Sequence, residues 1–194
     1  LQGLLADEEI RTLLSMLLLA SAKKDLSTCS FRLFDVQKPK EEEVWSTEVT
    51  EEDLANAVED EFGVKYSKDW KRLLSAPEGL SGEYYIREGV KVIGDFAFGL
   101  CSFLTNVGIP DSVISIGNCA FQRCRSLTSI DIPGGVIGIG VGAFMFCISL
   151  VSIEIPDSVT SIMDGTFLSC NSLRSITIPN SVVVIVGNPF QNCI

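Results

Sequence analysis

No histidine occurs in the 194 residues. Its absence removes the usual imidazole base, the Ser-His and Cys-His nucleophile pairs and the commonest metal ligand. Positive charge is scarce as well: 15 basic against 25 acidic side chains give a net charge of −10 and a pI near 4.5. Such a balance repels phosphate backbones and anionic headgroups and argues against a nucleic-acid partner. Long apolar runs are missing too. The longest, Leu13 to Ala22, covers ten residues, whereas a spanning helix needs roughly 20, so membrane insertion is not expected. Asp7, Glu8 and Glu9 stand ahead of it, where an export signal would carry positive charge. Leu1 in place of Met fits either a signal already removed or a trimmed chain.

The 46% of hydrophobic residues is ordinary for a folded protein. Character changes near residue 80, with 17 acids and 10 bases before it and 8 acids and 5 bases after. We expect an N-terminal α+β cap domain over 1–80. Leu4, Leu5, Ile10, Leu13, Leu14, Leu17 and Leu18 recur at helical spacing, with Lys23 and Lys24 suited to a helix C-terminus, which predicts a helix from about Asp7 to Lys24. Phe31 to Val36 reads as a strand, and Val44 to Val49 as a second beyond the Glu41-Glu42-Glu43 loop. Thr50 and Asp53 resemble a capping box opening a helix through Leu54, Ala55, Val58 and Phe62, stopped by Gly63. Val64-Lys65-Tyr66 and Lys71-Arg72-Leu73-Leu74 predict a hairpin around Ser67 to Trp70.

From Gly82 onward the chain repeats every 23 residues: Phe98, Phe121, Phe144, Phe167 and Phe190, and likewise Cys101, Cys124, Cys147, Cys170 and Cys193. Columns of Leu (104, 127, 150, 173), Ile (93, 116, 139, 162, 185) and Pro (110, 133, 156, 179) share the step. A repeat of this length cannot bury its own apolar face, so neighbouring coils must stack, as in a leucine-rich-repeat solenoid. Over 81–194 we therefore expect an α/β repeat solenoid of about five coils. Leu127 to Ile132 alternates as a short strand ended by Pro133, Val159 to Ile162 gives a second extended segment, and the Ala-Phe-x-x-Cys run has the spacing of a 3₁₀ or α turn. Phe should lie on Phe and Cys on Cys.

The phrase Leu-x-x-Ile-x-Ile-Pro-x-x-Val-x-x-Ile-Gly-x-x-Ala-Phe-x-x-Cys resembles the BspA-type leucine-rich repeat, and Phe62 to Pro77 is similar to the lead-in hairpin of such proteins, except that Trp70 stands where Gly is expected. The resemblance implies an exported bacterial or protist surface protein with an adhesive role, binding host matrix proteins or other cells. Departures from the pattern are Met163 and Val186 at the repeat Gly, Gly134-Gly135 at Asp-Ser, and Pro189 before Phe190.

Seven cysteines invite a metal or disulfide reading. Five stand alone in successive coils with no Cys-x-x-Cys pair, and stacked side chains point in parallel, so packing accounts for them better and no metal or cofactor is expected. Free thiols in an exported protein would imply a reducing setting. The outward positions of the first strand, Asn106 and Gly108, Ser129 and Asp131, Ser152 and Glu154, Ser175 and Thr177, should line one continuous concave sheet face. It suits a protein or glycan ligand, although any solenoid needs such a solvated face. On the second strand Ile114, Ile137, Val183 and Val184 are apolar where polar residues are expected. The leading expectation is a non-enzymatic adhesin or receptor module at the cell surface or secreted. An intracellular scaffold or effector is the alternative, and a carboxylate enzyme would require Asp60, Glu61 and Asp69 to meet around one pocket.

Overall fold

The computed structural model describes residues 45–193. The expected helix over Asp7 to Lys24 and the strand over Phe31 to Val36 lie outside them. Residues 45–50 carry no strand, so the extended segment expected up to Val49 is absent there. Thr50 caps α1 (Glu51–Ala55): its hydroxyl accepts from Asp53 N–H at 3.1 Å while the Asp53 carboxylate accepts from Thr50 N–H at 3.0 Å. The capping box is real but the helix is shorter than its apolar pattern suggested. Asn56 caps it, and β1 (Val58–Glu59) follows, pairing antiparallel with β2 (Lys65–Tyr66). Val58 thus belongs to a strand. The Asp60 carboxylate accepts from the N–H groups of both Phe62 and Val64, which turns the chain where the helix was expected to continue.

The predicted hairpin forms, β2 pairing antiparallel with β3 (Arg72–Ser75). Trp70 at its turn has φ +59°, which explains why glycine suits that position. From β3 a parallel sheet runs through β5 (Val92–Ile93), β7 (Ser115–Ile116) and β8 (Gly138–Ile139), one short strand per coil, with β5, β7 and β8 pairing the same residues of the repeat. The other strand of each coil forms β4 (Ser81–Tyr85) with β6 (Phe103–Gly108), and β9 (Ser152–Glu154) with β11 (Ser175–Thr177), both parallel. β10 (Ser161–Ile162) and β12 (Val184–Ile185) form a last parallel pair.

Between these strands the Ala-Phe-x-x-Cys run forms successive turns and no helix. Its amides alternate in use. Ala97, Gly99 and Cys101 donate to carbonyls three residues back, whereas Phe96, Phe98 and Leu100 donate to Asn118, Ala120 and Gln122 of the next coil. A helix would spend every N–H internally, and here half of them join coil to coil. The arrangement is held by left-handed residues at two points of each turn, Phe96 and Leu100, then Cys119 and Arg123. Helical content among the described residues is therefore confined to α1.

Phe98, Phe121, Phe144, Phe167 and Phe190 stack with centroids 5.1–5.6 Å apart and planes within 6°. The first four are fully buried, as are Leu104, Leu127 and Leu150. From Cys124 to Cys193 each thiol of the cysteine column donates to the Phe carbonyl of the preceding coil, at 3.1–3.2 Å, whereas Cys101 donates to Pro77 O at 3.4 Å. The six described cysteines are free. At the last coil Ile185 is 55% exposed although the equivalent Ile93, Ile116, Ile139 and Ile162 are buried.

Met163 marks a break. A Cβ on Gly117 would sit 2.6 Å from Asp95 N, and one on Gly140 2.6 Å from the Gly117 carbonyl carbon, so at these two coils the column packs backbone on backbone and leaves no room for a side chain. Met163 brings a side chain to the next position of that column. The parallel sheet stops at that boundary, with β8 and β10 in separate sheets.

Candidate functional site

The outward-facing row on the first strand of each coil is built by alternation. Ile153 and Leu150 turn inward and are buried, which leaves Ser152 and Glu154 exposed. Parallel pairing sets Ser175 beside Ser152 and Thr177 beside Glu154. Asn106, half-buried, sits beside Glu83 in the β4–β6 pair. Ser129 and Asp131 are exposed between these two pairs, in an extended segment that pairs with neither as a strand. Thr128 N–H reaches Thr105 O at 3.4 Å and Val151 N–H reaches Thr128 O at 3.0 Å, so coil-to-coil bonding continues there more sparsely. The continuous sheet expected from the repeat is thus two short sheets joined by a looser coil.

The same row extends further toward the N-terminus than the analysis of the repeat anticipated. Glu83 and Tyr85 stand one period before Asn106 and Gly108. The Tyr85 ring fills the space over Gly108, where a Cβ would clash with it. Tyr85 is 68% exposed, its hydroxyl donating to Glu83 at 2.9 Å, and Phe103 on the adjoining strand is 65% exposed. The 23-residue step counted back from Asn106 and Gly108 was signal enough to find both residues. One end of the face is aromatic and acidic, the middle carries Asp131 and Glu154, and the far end is small and hydroxylic.

The carboxylates singled out in the N-terminal part do not converge. Asp60 and Glu61 border a cavity of about 170 Å³ with Tyr66, Trp70, Tyr84 and Arg87. Asp69 borders a separate, wider depression with Asp53, Lys68 and Arg72. Asp60 is committed to structure: Tyr84 donates to it at 2.6 Å and Tyr66 in turn to Tyr84 at 2.5 Å. Burial, then the Asp60 carboxylate it serves, push the Tyr84 phenol far above its ordinary value. Ser67 and the Lys71 amide, by donating hydrogen bonds, hold Asp69 below the usual carboxylate range. Burial pushes the Cys101 thiol up to about 11 and Cys170 to about 12, so the buried members of the column stay protonated near neutral pH. Among the described residues no group of three or more Cys, Asp or Glu side chains is placed to hold a metal, and no helix is long and apolar enough to cross a membrane.

The family model for the BspA type leucine rich repeat region matches residues 82–194 in six copies, more than half of the chain. The chain belongs to the BspA-type leucine-rich repeat family. Among solved structures, this BspA-type chain is similar to a leucine-rich repeat protein from Bacteroides capillosus, at 32% identity and TM-score 0.54, covering 64% of this chain and 99% of that one. It is also similar to one from Eubacterium ventriosum, at 22% identity and TM-score 0.52, covering 71% of this chain. It spans about half the length of the latter. The pneumococcal vaccine antigen PcpA shares the fold at 18% identity and TM-score 0.51, covering 68% of this chain and 42% of that one. No curated protein matches the chain in sequence.

Proposed function

We propose that this BspA-type chain is a non-enzymatic binding protein, an adhesin or receptor module displayed at the cell surface or secreted. Its ligand, a protein or a glycan, lies across Asn106, Ser129, Asp131, Ser152, Glu154, Ser175 and Thr177. The observation that carries this reading is the exposed row itself: small hydroxyls and two carboxylates recur at two alternate positions of successive coils, with Tyr85 and Phe103 exposed at its N-terminal end. Aromatic anchors beside adaptable polar groups are the composition of recognition surfaces. The surface location follows the family resemblance.

An intracellular scaffold drew part of its support from the free thiols. The buried thiols donate to Phe carbonyls in the core, so packing explains them without reference to a compartment. Binding of the purified chain to a panel of matrix proteins and glycans is the test. Saturable binding to at least one member supports the reading, and a panel without any binder removes it.

A further inference from the structure

The cavity beside Asp60 and Glu61 stands at the N-terminal end of the exposed row, and nothing in the packing of the fold uses its interior. It holds about 170 Å³, below the ~300 Å³ at which sites for drug-sized ligands begin. One small unit fits, the size of a single ring. Its walls are aromatic: Phe62, 56% exposed, stands edge-on to Tyr84 at 5.7 Å, and Trp70 lies 5.1 Å from Tyr66. Tyr85, the aromatic residue of the exposed row, borders the same space.

The polar groups select among ligand classes. A cation would need an open ring face and uncrowded positive potential, but the Arg87 guanidinium already lies over Trp70, 4.4 Å from the ring centroid. An anion would face Asp60 and Glu61. A purely apolar ligand would strip water from Glu61 and Arg87 without replacing its hydrogen bonds. The two phenols are buried and spend their hydroxyls on each other and on Asp60, so what the cavity offers is the Glu61 carboxylate as acceptor and the N–H donors of Arg87 at one side. Hydroxyl groups, each donor and acceptor, match that pattern, and the C–H faces of a sugar ring match the aromatic walls.

We propose that this cavity binds one uncharged sugar unit, such as the terminal residue of a glycan whose remainder runs along the exposed row. The proposal rests on the binding reading above in taking the chain as a receptor, and narrows its ligand to a glycan. Phe62 and Tyr85 clasp the ring, and Arg87 with Glu61 orients its hydroxyls.

The test is titration of the purified chain with glucose, galactose, mannose, fucose and N-acetylglucosamine, followed by saturation-transfer NMR and by the fluorescence of Trp70 in a Trp45→Phe background. At least one sugar should bind saturably. Phe62→Ala and Tyr85→Ala, both at exposed side chains, should each weaken it about tenfold or more, roughly 1.4 kcal/mol, with unchanged thermal unfolding, while Val183→Lys, at an exposed second-strand residue outside the cavity and the row, leaves sugar binding as it was. Absence of saturation with every sugar, binding indifferent to both substitutions, or competition by choline, sulfate or a short peptide in place of a sugar would overturn the proposal. A chain that binds a panel protein through its exposed row but no sugar defeats this inference alone, whereas sugar binding without any panel ligand defeats the wider reading.

Discussion

The Cys124 thiol donates to the Phe98 carbonyl at 3.2 Å, and one coil later Cys147 repeats the contact with Phe121 at 3.1 Å. Each rung of the cysteine column thereby bonds a carbonyl beside the aromatic stack. Cysteine is small enough for the space and keeps a donor there. Cys147→Ala should cost about 2 kcal/mol in urea denaturation, from a cavity and a lost hydrogen bond. With a thiol reagent and mass spectrometry, Cys119 and Cys193, both partly exposed, should react in the native protein. Cys124, Cys147 and Cys170 should react only on unfolding.

The same thiols make stability depend on alkaline pH. In the unfolded chain they ionise near 9.0, whereas burial raises Cys101 to about 11, Cys170 to about 12 and Cys147 well above its usual value. Between these limits the folded state binds more protons than the unfolded one, so stability is fully present below about pH 9 and falls as pH rises through 11 to 12. Tyr66 and Tyr84, raised by burial above their ordinary 10.0, add to the loss at the upper end. Denaturation midpoints at pH 8 and pH 10.5 should differ, and Cys147→Ala should make the difference smaller.

Gly140→Ala places a methyl group against the backbone of the preceding coil and should destabilise by about 2 kcal/mol or more, in the range of overpacked cores. Met163, at the equivalent position one coil on, marks the weak boundary. In hydrogen exchange the amides of Ile137 and Gly140, which donate to Ile114 and Ile116, should be better protected than those of Thr160 and Met163.

The periodic part was legible because each column of the repeat answers to one environment: Phe121, Cys124 and Leu127 are fully buried as their spacing requires. What escaped was local competition for backbone groups. Leu54, Ala55, Val58 and Phe62 carry helical spacing, yet the Asp60 carboxylate captured the amides of Phe62 and Val64 and gave a turn. The Ala-Phe-x-x-Cys spacing likewise concealed amides bonding across coils. In the exposed row, Ser152 and Glu154 were readable from alternation. Glu83 and Tyr85 needed the period extended backward, and the cavity behind Tyr85 joins two separate segments, Asp60 to Trp70 and Tyr84 to Arg87, that no local pattern connects.

At the N-terminal end, Thr50→Ala should cost about 1 kcal/mol, the usual worth of a helix cap. The Thr50 backbone N–H, with Arg72 at 2.8 Å, holds Asp53 below its ordinary 3.8, against the opposing effect of its partial burial. The stability it contributes is present above that value and is lost as pH falls through the lower folded one. Acid denaturation of Asp53→Asn should therefore begin from a lower stability and be less steep below pH 4.

The claim that the exposed row of the first strands is the binding surface is tested most directly by comparing three proteins against one panel ligand: the unaltered chain, Asp131→Lys with Glu154→Lys, and Ile137→Lys with Val183→Lys on the second strands, each verified by circular dichroism. The account predicts that binding is lost in the first variant and retained in the second. Binding retained in the first and lost in the second would contradict it and place recognition on the apolar second strands.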